Sequence, residues 1–382
     1  MRMTLRTPRL TWALLFAAAV AVVAALVAAT GLTAGAGAAP ARRFTSHVFA
    51  SGAGLSHPTG SGTEPVSKPD DITVLSGRIY VAFANGVGPQ GQASTTGTRD
   101  STIVEFTTTG RVVHQWDVLG KCDGLTADPA IGKIVATVNE DANSSVYLIA
   151  PAAGGVHYRY RRPVPSHGGT DAITVDHGQI LISASAPGTS GRPAPQAAYP
   201  AAYRATFDAR THVATLHGLF SDEARARVAN GGSAGVTRLA LSDPDSSELV
   251  PAFAHRFGGD FMLTSQAERQ QIFTPDPSRR GALTVITLSA SVDDTAWPSS
   301  AGGALYASDP TNNRIDRITG PFQRGEEVAA TTPCDQANAP STCPGPGFAT
   351  NYLGAVDTGT GRITPLLMGG TAVQPTGLLF LP

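Results

Sequence analysis

Acidic residues recur at one place in a repeated phrase. Asp70 and Asp71 stand in "KPDDITVL", Asp123 in "KCDGLTAD", Asp171 in "GTDAITVD", and Asp293 with Asp294 in "VDDTAWPSS". A second polar group follows the next apolar run: Asn85, Asn139, Glu140, Asp141, Asp309 and Asn312. Carboxylate and amide oxygens are hard ligands of the kind that Ca²⁺ and Mg²⁺ take. The same residue types also cap turns by accepting backbone N–H bonds, which is their commonest structural job. Metal chemistry requires the phrases, far apart in sequence, to meet in space.

The elements around them supply a way to do so. Each acidic phrase precedes a Gly-led run of β-branched or aromatic residues: "GRIYVAFAN" (77–85), "GKIVATVNE" (132–140), "GQILISASA" (178–186), "GDFMLTSQA" (259–267) and "GALYASDPT" (303–311). Such runs fit pleated strands. Hairpin phrases follow, as in "STIVEFTTTGRVVHQW" (101–116), where Thr109-Gly110 supplies the turn, since Gly adopts the positive φ that tight hairpins need. The unit is four short strands. Its innermost-strand phrases begin near 70, 123, 171, 236, 293 and 374, with "GVTRLALSDPD" (235–245) as the fourth and "VQPTGLLFLP" (373–382) as the last. Four-stranded units at this spacing predict an all-β fold, a six-bladed β-propeller of antiparallel blades, with seven blades as the alternative. Blades covered on both faces by neighbours need no polar face, which accounts for the weak alternation of "ITVL" and "IVATV". "RFTSHVFAS" (43–51) is expected to complete the sheet that holds residues 374–381, closing the ring with both termini.

"LYASDPTNNRIDRI" within residues 302–320 resembles an NHL repeat, and "GKIVATVNEDANSSVYLI" is similar both to it and to YVTN-type repeats. The resemblance implies the propeller superfamily over residues 68–382. In that superfamily lactonases and other metal enzymes hold a divalent ion at the channel mouth. It implies Asp71, Asp123, Asp171 and Asp294 as candidate ligands, with Glu140 or His167 as the general base that takes a proton from metal-bound water.

Other segments are read from local chemistry. Residues 1–38 carry Arg2, Arg6 and Arg9 ahead of an apolar run from Trp12 to Ala29, then the small residues Ala36-Gly37-Ala38. This predicts a signal peptide, with an uncleaved membrane anchor as the alternative, and hence an extracellular protein. Residues 39–67 are read as an N-terminal strand and a flexible loop. Cys334 and Cys343 flank "DQANAPST" and are expected to pair as a disulfide outside the cytoplasm, leaving Cys122 a buried free thiol. "SDEARARVAN" (221–230) predicts a short helix with Ser221 as N-cap. His114, His157 and His212 fall in or beside outermost strands. "GVGPQG" (86–91) has no helix after it to bind phosphate, and Ser233 in "GGSAG" lacks the preceding strand of a nucleophile elbow.

The formal net charge of −1 over 382 residues gives no basic field for nucleic acid. No cluster of His and Arg suits a quinone cofactor. Two function classes stay open: a module that binds a protein, glycan or small ligand at the channel mouth, and a lactonase-like hydrolase dependent on Ca²⁺ or Mg²⁺.

Overall fold

The apolar runs found in the sequence become strands buried along almost their whole length. Arg78–Phe83, Lys133–Val138, Gln179–Ala184 and Ala304–Asp309 are each covered on both faces except at most at their first residue. The structure is a computed structural model. It describes residues 42–162, 169–187, 198–231, 235–278, 283–333, 350–367 and 373–382. Among them there is no α-helix, and none long and apolar enough to cross a membrane. The N-terminal apolar run, His167, Ser233, Cys334 and Cys343 all lie outside the described residues.

The fold is all-β and propeller-like. Pro69–Leu75, Arg78–Phe83, Asp100–Thr107 and Val112–Leu119 pair in sequence order as one antiparallel four-stranded sheet. Val292–Ala296, Glu327–Thr331, Tyr352–Asp357 and Arg362–Leu367 form a second. A third combines both ends of the unit Arg43–Pro382: Thr45–Ser51 and Leu378–Leu381 flank the hairpin of Ala304–Asp309 and Arg314–Thr319. The remaining strands form larger sheets. In one of eight strands, the runs Cys122–Tyr160 and Thr170–Gly218 are joined in the sheet by only two parallel residue pairs, Arg159 with Val213 and Tyr160 with Ala214. In one of six, Pro244–Leu249, Phe261–Ser265, Gln270–Thr274 and Thr284–Thr287 gain the hairpin Arg225–Val228 with Gly235–Arg238. Among the described residues the hydrogen bonding therefore delimits three four-stranded sheets beside the two larger ones, not the six or seven separate four-stranded blades that the sequence predicted.

The first strands of these runs pack on one another in turn: Pro69–Leu75 on Cys122–Asp128, then Thr170–Asp176, Pro244–Leu249, Val292–Ala296 and Leu378–Leu381, which returns to Pro69–Leu75. Each hydrophobic cluster lies between neighbours in this cycle. Tyr80 and Ile103 meet Ile134 and Ile149, and Ile79 and Phe106 meet Tyr306 and Ile315. Stability thus comes from one module pressing on the next. At the closure, the ring of Phe44 stacks edge-on to Phe322 and that of Phe49 to Tyr306, both at 4.9 Å.

Four sequence expectations are corrected. The 221–230 segment is not a helix. Asp222 is buried and its carboxylate accepts from Tyr199 N, while Arg225–Val228 is drawn into parallel pairing with Thr284–Thr287. Its alternation of Arg with Ala and Val serves a strand as well as a helix. Residues 52–67 hold a 3₁₀ turn, Gly52–Gly54, and a hairpin of Ser56–Thr59 with Gly62–Pro65, and His57 and Val66 are buried. The fourth inner strand is Pro244–Leu249, not a run from 236. Finally, "GALYASDPT" does not pair with the Asp293 strand. That strand pairs with Glu327–Thr331, and the 304–319 hairpin crosses to the closing sheet.

The inner strands come so close that side chains are excluded at two contacts. A Cβ on Gly124 would lie 2.4 Å from the Asp171 carbonyl oxygen, and one on Gly377 2.4 Å from that of Asp70. Gly124→Ala and Gly377→Ala should each destabilise the fold by about 1–3 kcal/mol in urea unfolding. Gly235→Ala, with open space around its Cβ position, should stay within about 0.5 kcal/mol.

Candidate functional site

The acidic phrases meet because of a shared irregularity. In five inner strands the pairing register slips at the acidic residue: between Pro69 and Ile72, Cys122 and Leu125, Thr170 and Ile173, Pro244 and Ser246, and Val292 and Asp294. A bulge bends a strand and re-aims the side chain at the bend. Here Asp70, Asp123, Asp171, Asp245 and Asp293 all line one cavity of about 610 Å³, with Thr376 in the corresponding place on the sixth strand.

The next position in two of these strands ties the ring together. Asp71 accepts from Leu125 N at 2.7 Å, and Asp294 accepts from Leu378 N at 2.7 Å. Both line the cavity, and each spends one carboxylate oxygen on its neighbour's backbone. Asn85 and Asn139 adopt left-handed φ of 52° and 65° at the ends of their strands. Their side-chain oxygens accept from Ser67 N and Lys121 N, which pins the entry to the inner strand. Asp309 likewise caps Asn312 N and Gln374 N. For these three residues, turn capping is the role observed.

Asn139 sets Glu140 opposite Lys121. The Lys121 ammonium donates to Asp123 at 2.9 Å and to Glu140. Asp123, Glu140 and Asp171 bring one carboxylate oxygen each within 4.8 Å of one another. Three oxygens this close lie at most about 2.8 Å from a common centre, near the upper end of the roughly 2.3–2.6 Å range of Ca²⁺–oxygen bonds. The structure thus brings Asp123, Asp171 and Glu140 together. It places Asp71 and Asp294 in the same cavity but outside that trio. His157 is remote from it, bonded to Ser145 and stacked on Tyr147. Cys122 is a buried free thiol.

Among the described residues, nine carboxyl groups and one ammonium line the cavity. Burial, then repulsion from neighbouring carboxylates, pushes Asp70, Asp71, Asp171, Asp245 and Glu248 well above the usual carboxylate range. The same causes raise Glu140 to about 9, and burial raises Asp294 to about 7. Burial is the largest single influence on Asp123 and opposes its charge, but the Lys121 ammonium together with side-chain hydrogen bonds from Glu140, Lys121 and Asp70 more than compensates, and its pKa is lowered. Burial opposes the charge on Lys121, but Asp123 and Glu140 more than compensate and its pKa rises. Within two neighbouring carboxyl pairs the mutual interaction acts in opposite directions, raising Asp70 and lowering Asp123, and raising Asp245 while lowering Asp293.

Lys121, Asp245 and Glu248 were not expected from sequence. The "PD" of Pro69-Asp70 recurs in Pro244-Asp245 and would have marked the latter. Lys121 carries the same signal, a Lys two residues before the bulged Asp, as Lys68 does before Asp70.

No protein-family model matches the chain, and no curated protein matches its sequence. Several solved structures resemble it. A putative 6-phosphogluconolactonase from Bacteroides fragilis is 12% identical, with TM-score 0.42, covering 90% of this chain and 99% of that one. Hydrazine synthase of Kuenenia stuttgartiensis is 10% identical, with TM-score 0.41, covering 79% of this chain. The match spans 65% of that chain, just under two thirds of its length. Virginiamycin B lyase from Staphylococcus aureus is 11% identical, with TM-score 0.33, covering 72% of this chain and 99% of that one. The architecture stands on the strand pairing described above.

The raised carboxyl pKa values fix the sign of the pH dependence. Groups that hold protons more tightly when folded stabilise below their unfolded pKa, and that stability is lost as pH rises through the folded pKa. With Asp294 near 7 and Glu140 near 9, the melting temperature without divalent ions should fall from pH 5 to pH 9. Asp294→Asn should flatten the lower part of that slope and Glu140→Gln the upper part, as read by differential scanning calorimetry.

Proposed function

We propose that this chain is a secreted or surface-tethered, NHL-like β-propeller of six blades that acts as a binding module through its channel, and that the channel takes a divalent cation, Ca²⁺ or Mg²⁺. The cyclic packing of the inner strands supports the count, with the eight-stranded sheet read as two blades joined at their outer edges. One observation carries the cation reading: among the described residues, nine carboxyl groups stand against a single ammonium around one cavity. Uncompensated charge of that density must take up protons or cations. Asp123, Glu140 and Asp171 would hold the ion, displacing the Lys121 ammonium from its two carboxylates. Asp70, Asp245 and Asp293 line the same cavity and add to the field that draws the ion in. The ion, once held, would present an electropositive centre to a ligand's carbonyl, hydroxyl or carboxylate oxygens.

The hydrolase reading has one observation in its favour. The trio opens on a cavity of about 610 Å³, room enough for a small lactone or ester. In that case a metal would polarise the carbonyl. The groups of this chain would orient the substrate against the cavity wall and take a proton at a Glu140 carboxylate oxygen.

Calorimetric titration with CaCl₂ or MgCl₂ at pH 7.5 should show saturable binding. Saturation at a hundred times Kd should stabilise the fold by about 2.7 kcal/mol. The double variant Asp123→Asn, Asp171→Asn should lose the binding. Lys121→Met removes the resident competitor and should tighten it by about tenfold, some 1.4 kcal/mol. Absence of heat and of any melting shift in the wild type overturns the cation reading. Turnover of a lactone panel that disappears in Asp171→Ala would decide for the hydrolase.

A further inference from the structure

A second cavity, of about 310 Å³, lies beside the channel and shares the Trp297 wall with it. Its lining includes Glu327, at the start of the Glu327–Thr331 strand and only 2% exposed. One oxygen of this carboxyl group, Oε1, accepts from the Gln271 side chain. The other, Oε2, is buried with no hydrogen-bond partner. A buried carboxylate oxygen left unpaired carries a larger desolvation cost than an unpaired neutral polar group. An oxygen in that state, on a residue that lines a cavity of about 310 Å³, marks a place for a donor from outside the described chain.

The rest of the lining states what kind of donor. Arg256 and His255 stand on the same cavity. The Arg256 guanidinium lies 4.5 Å over the Phe257 ring and donates from Nη1 to Thr358 O and from Nη2 to Ala229 O. These contacts use only part of a fork of five donors, so the group is fixed in place yet retains N–H bonds to offer. Phe257 in turn stacks on Phe273 at 3.9 Å, and His255 N donates to Gly325 O. The basic side is therefore built on a braced loop. One wall offers an unpaired carboxylate oxygen, another a cation with spare donors, and Trp297 gives an apolar face between the two cavities.

We propose that this cavity binds a small zwitterion, an amino-acid-sized molecule with its ammonium on Glu327 and its anionic end on Arg256. The site is independent of the cation in the channel. Either could exist without the other, because none of Asp123, Glu140 and Asp171 lines this cavity.

The test is calorimetry and ligand-observed NMR on the whole protein with glycine, β-alanine and γ-aminobutyrate as probes, beside butylamine and butyrate as half-ligands. At least one amino acid should bind, about tenfold or more tighter than either half-ligand. Glu327→Gln, which keeps the shape and the bond to Gln271, should weaken that binding by at least about tenfold. Arg256→Gln should reduce the preference over butylamine. The Asp123→Asn, Asp171→Asn variant should bind the zwitterion as the wild type does. No binding of any probe to the wild type would overturn the proposal and assign the unpaired oxygen to ordered water. Equal binding of butylamine, or an unchanged affinity in Glu327→Gln with native circular dichroism, would overturn it as well.

Discussion

Closure of the ring is what every other feature depends on. The hairpin of Ala304–Asp309 and Arg314–Thr319 receives the C-terminal strand on one edge and the N-terminal strand on the other. Three pieces of chain, hundreds of residues apart, thus make one sheet. Only when that sheet is complete does Leu378–Leu381 pack against both Val292–Ala296 and Pro69–Leu75, so that the inner strands enclose a space. The bulged Asp residues would otherwise point into bulk water, where five carboxylates spread along an open arc repel only weakly. Hydrophobic packing between modules therefore supplies the energy that holds like charges together, and the channel's chemistry is a consequence of that compression.

The chain offsets part of this cost locally. Asp71 and Asp294 turn their charge toward backbone N–H groups of the next strand, which makes the same residues both acidic lining and inter-module fasteners. Lys121 neutralises the densest group, Asp123 with Glu140. Among the described residues no such ion pair serves Asp245 and Asp293, and Gln266 adds only a neutral donor, at 3.0 Å to Asp245. The two halves of the channel thus differ: one holds an ion pair, the other two neighbouring carboxyl groups whose repulsion helps hold Asp245 well above the usual carboxylate range.

Much of this was legible in the sequence because it was repeated. Four "D" phrases at like positions, the Gly-led strands behind them and a polar N-terminal strand matched to an apolar C-terminal one predict both the repeat and its closure. What stayed hidden was connectivity that runs against sequence order. The 304–319 hairpin follows the Asp293 strand directly, so adjacency suggested one module, yet the hairpin belongs to the next. The strand carrying Asp245 was read too early because "GVTRLAL" is itself apolar and Gly-led, while its own run, "PDSSEL", is mostly polar. Residues 221–230 begin with Ser221 as a cap and Asp222 and Glu223 as an acidic first turn suited to a helix, and the long-range pairing of Arg225–Val228 overrode that local preference. Lys121 was invisible for another reason: its role is to balance a charge density that exists only once distant strands have met.

The account turns on carboxyl groups crowded enough to keep their protons near neutrality. Carbon-13 NMR titration of the Asp and Glu carboxyl carbons, without divalent ions, measures this directly. A set of them should titrate well above pH 5, with Asp294 near 7 and Glu140 near 9, and move back down when Ca²⁺ is added. A protein in which every carboxyl group titrates as in an unfolded peptide, at about 4, with or without Ca²⁺, would contradict it.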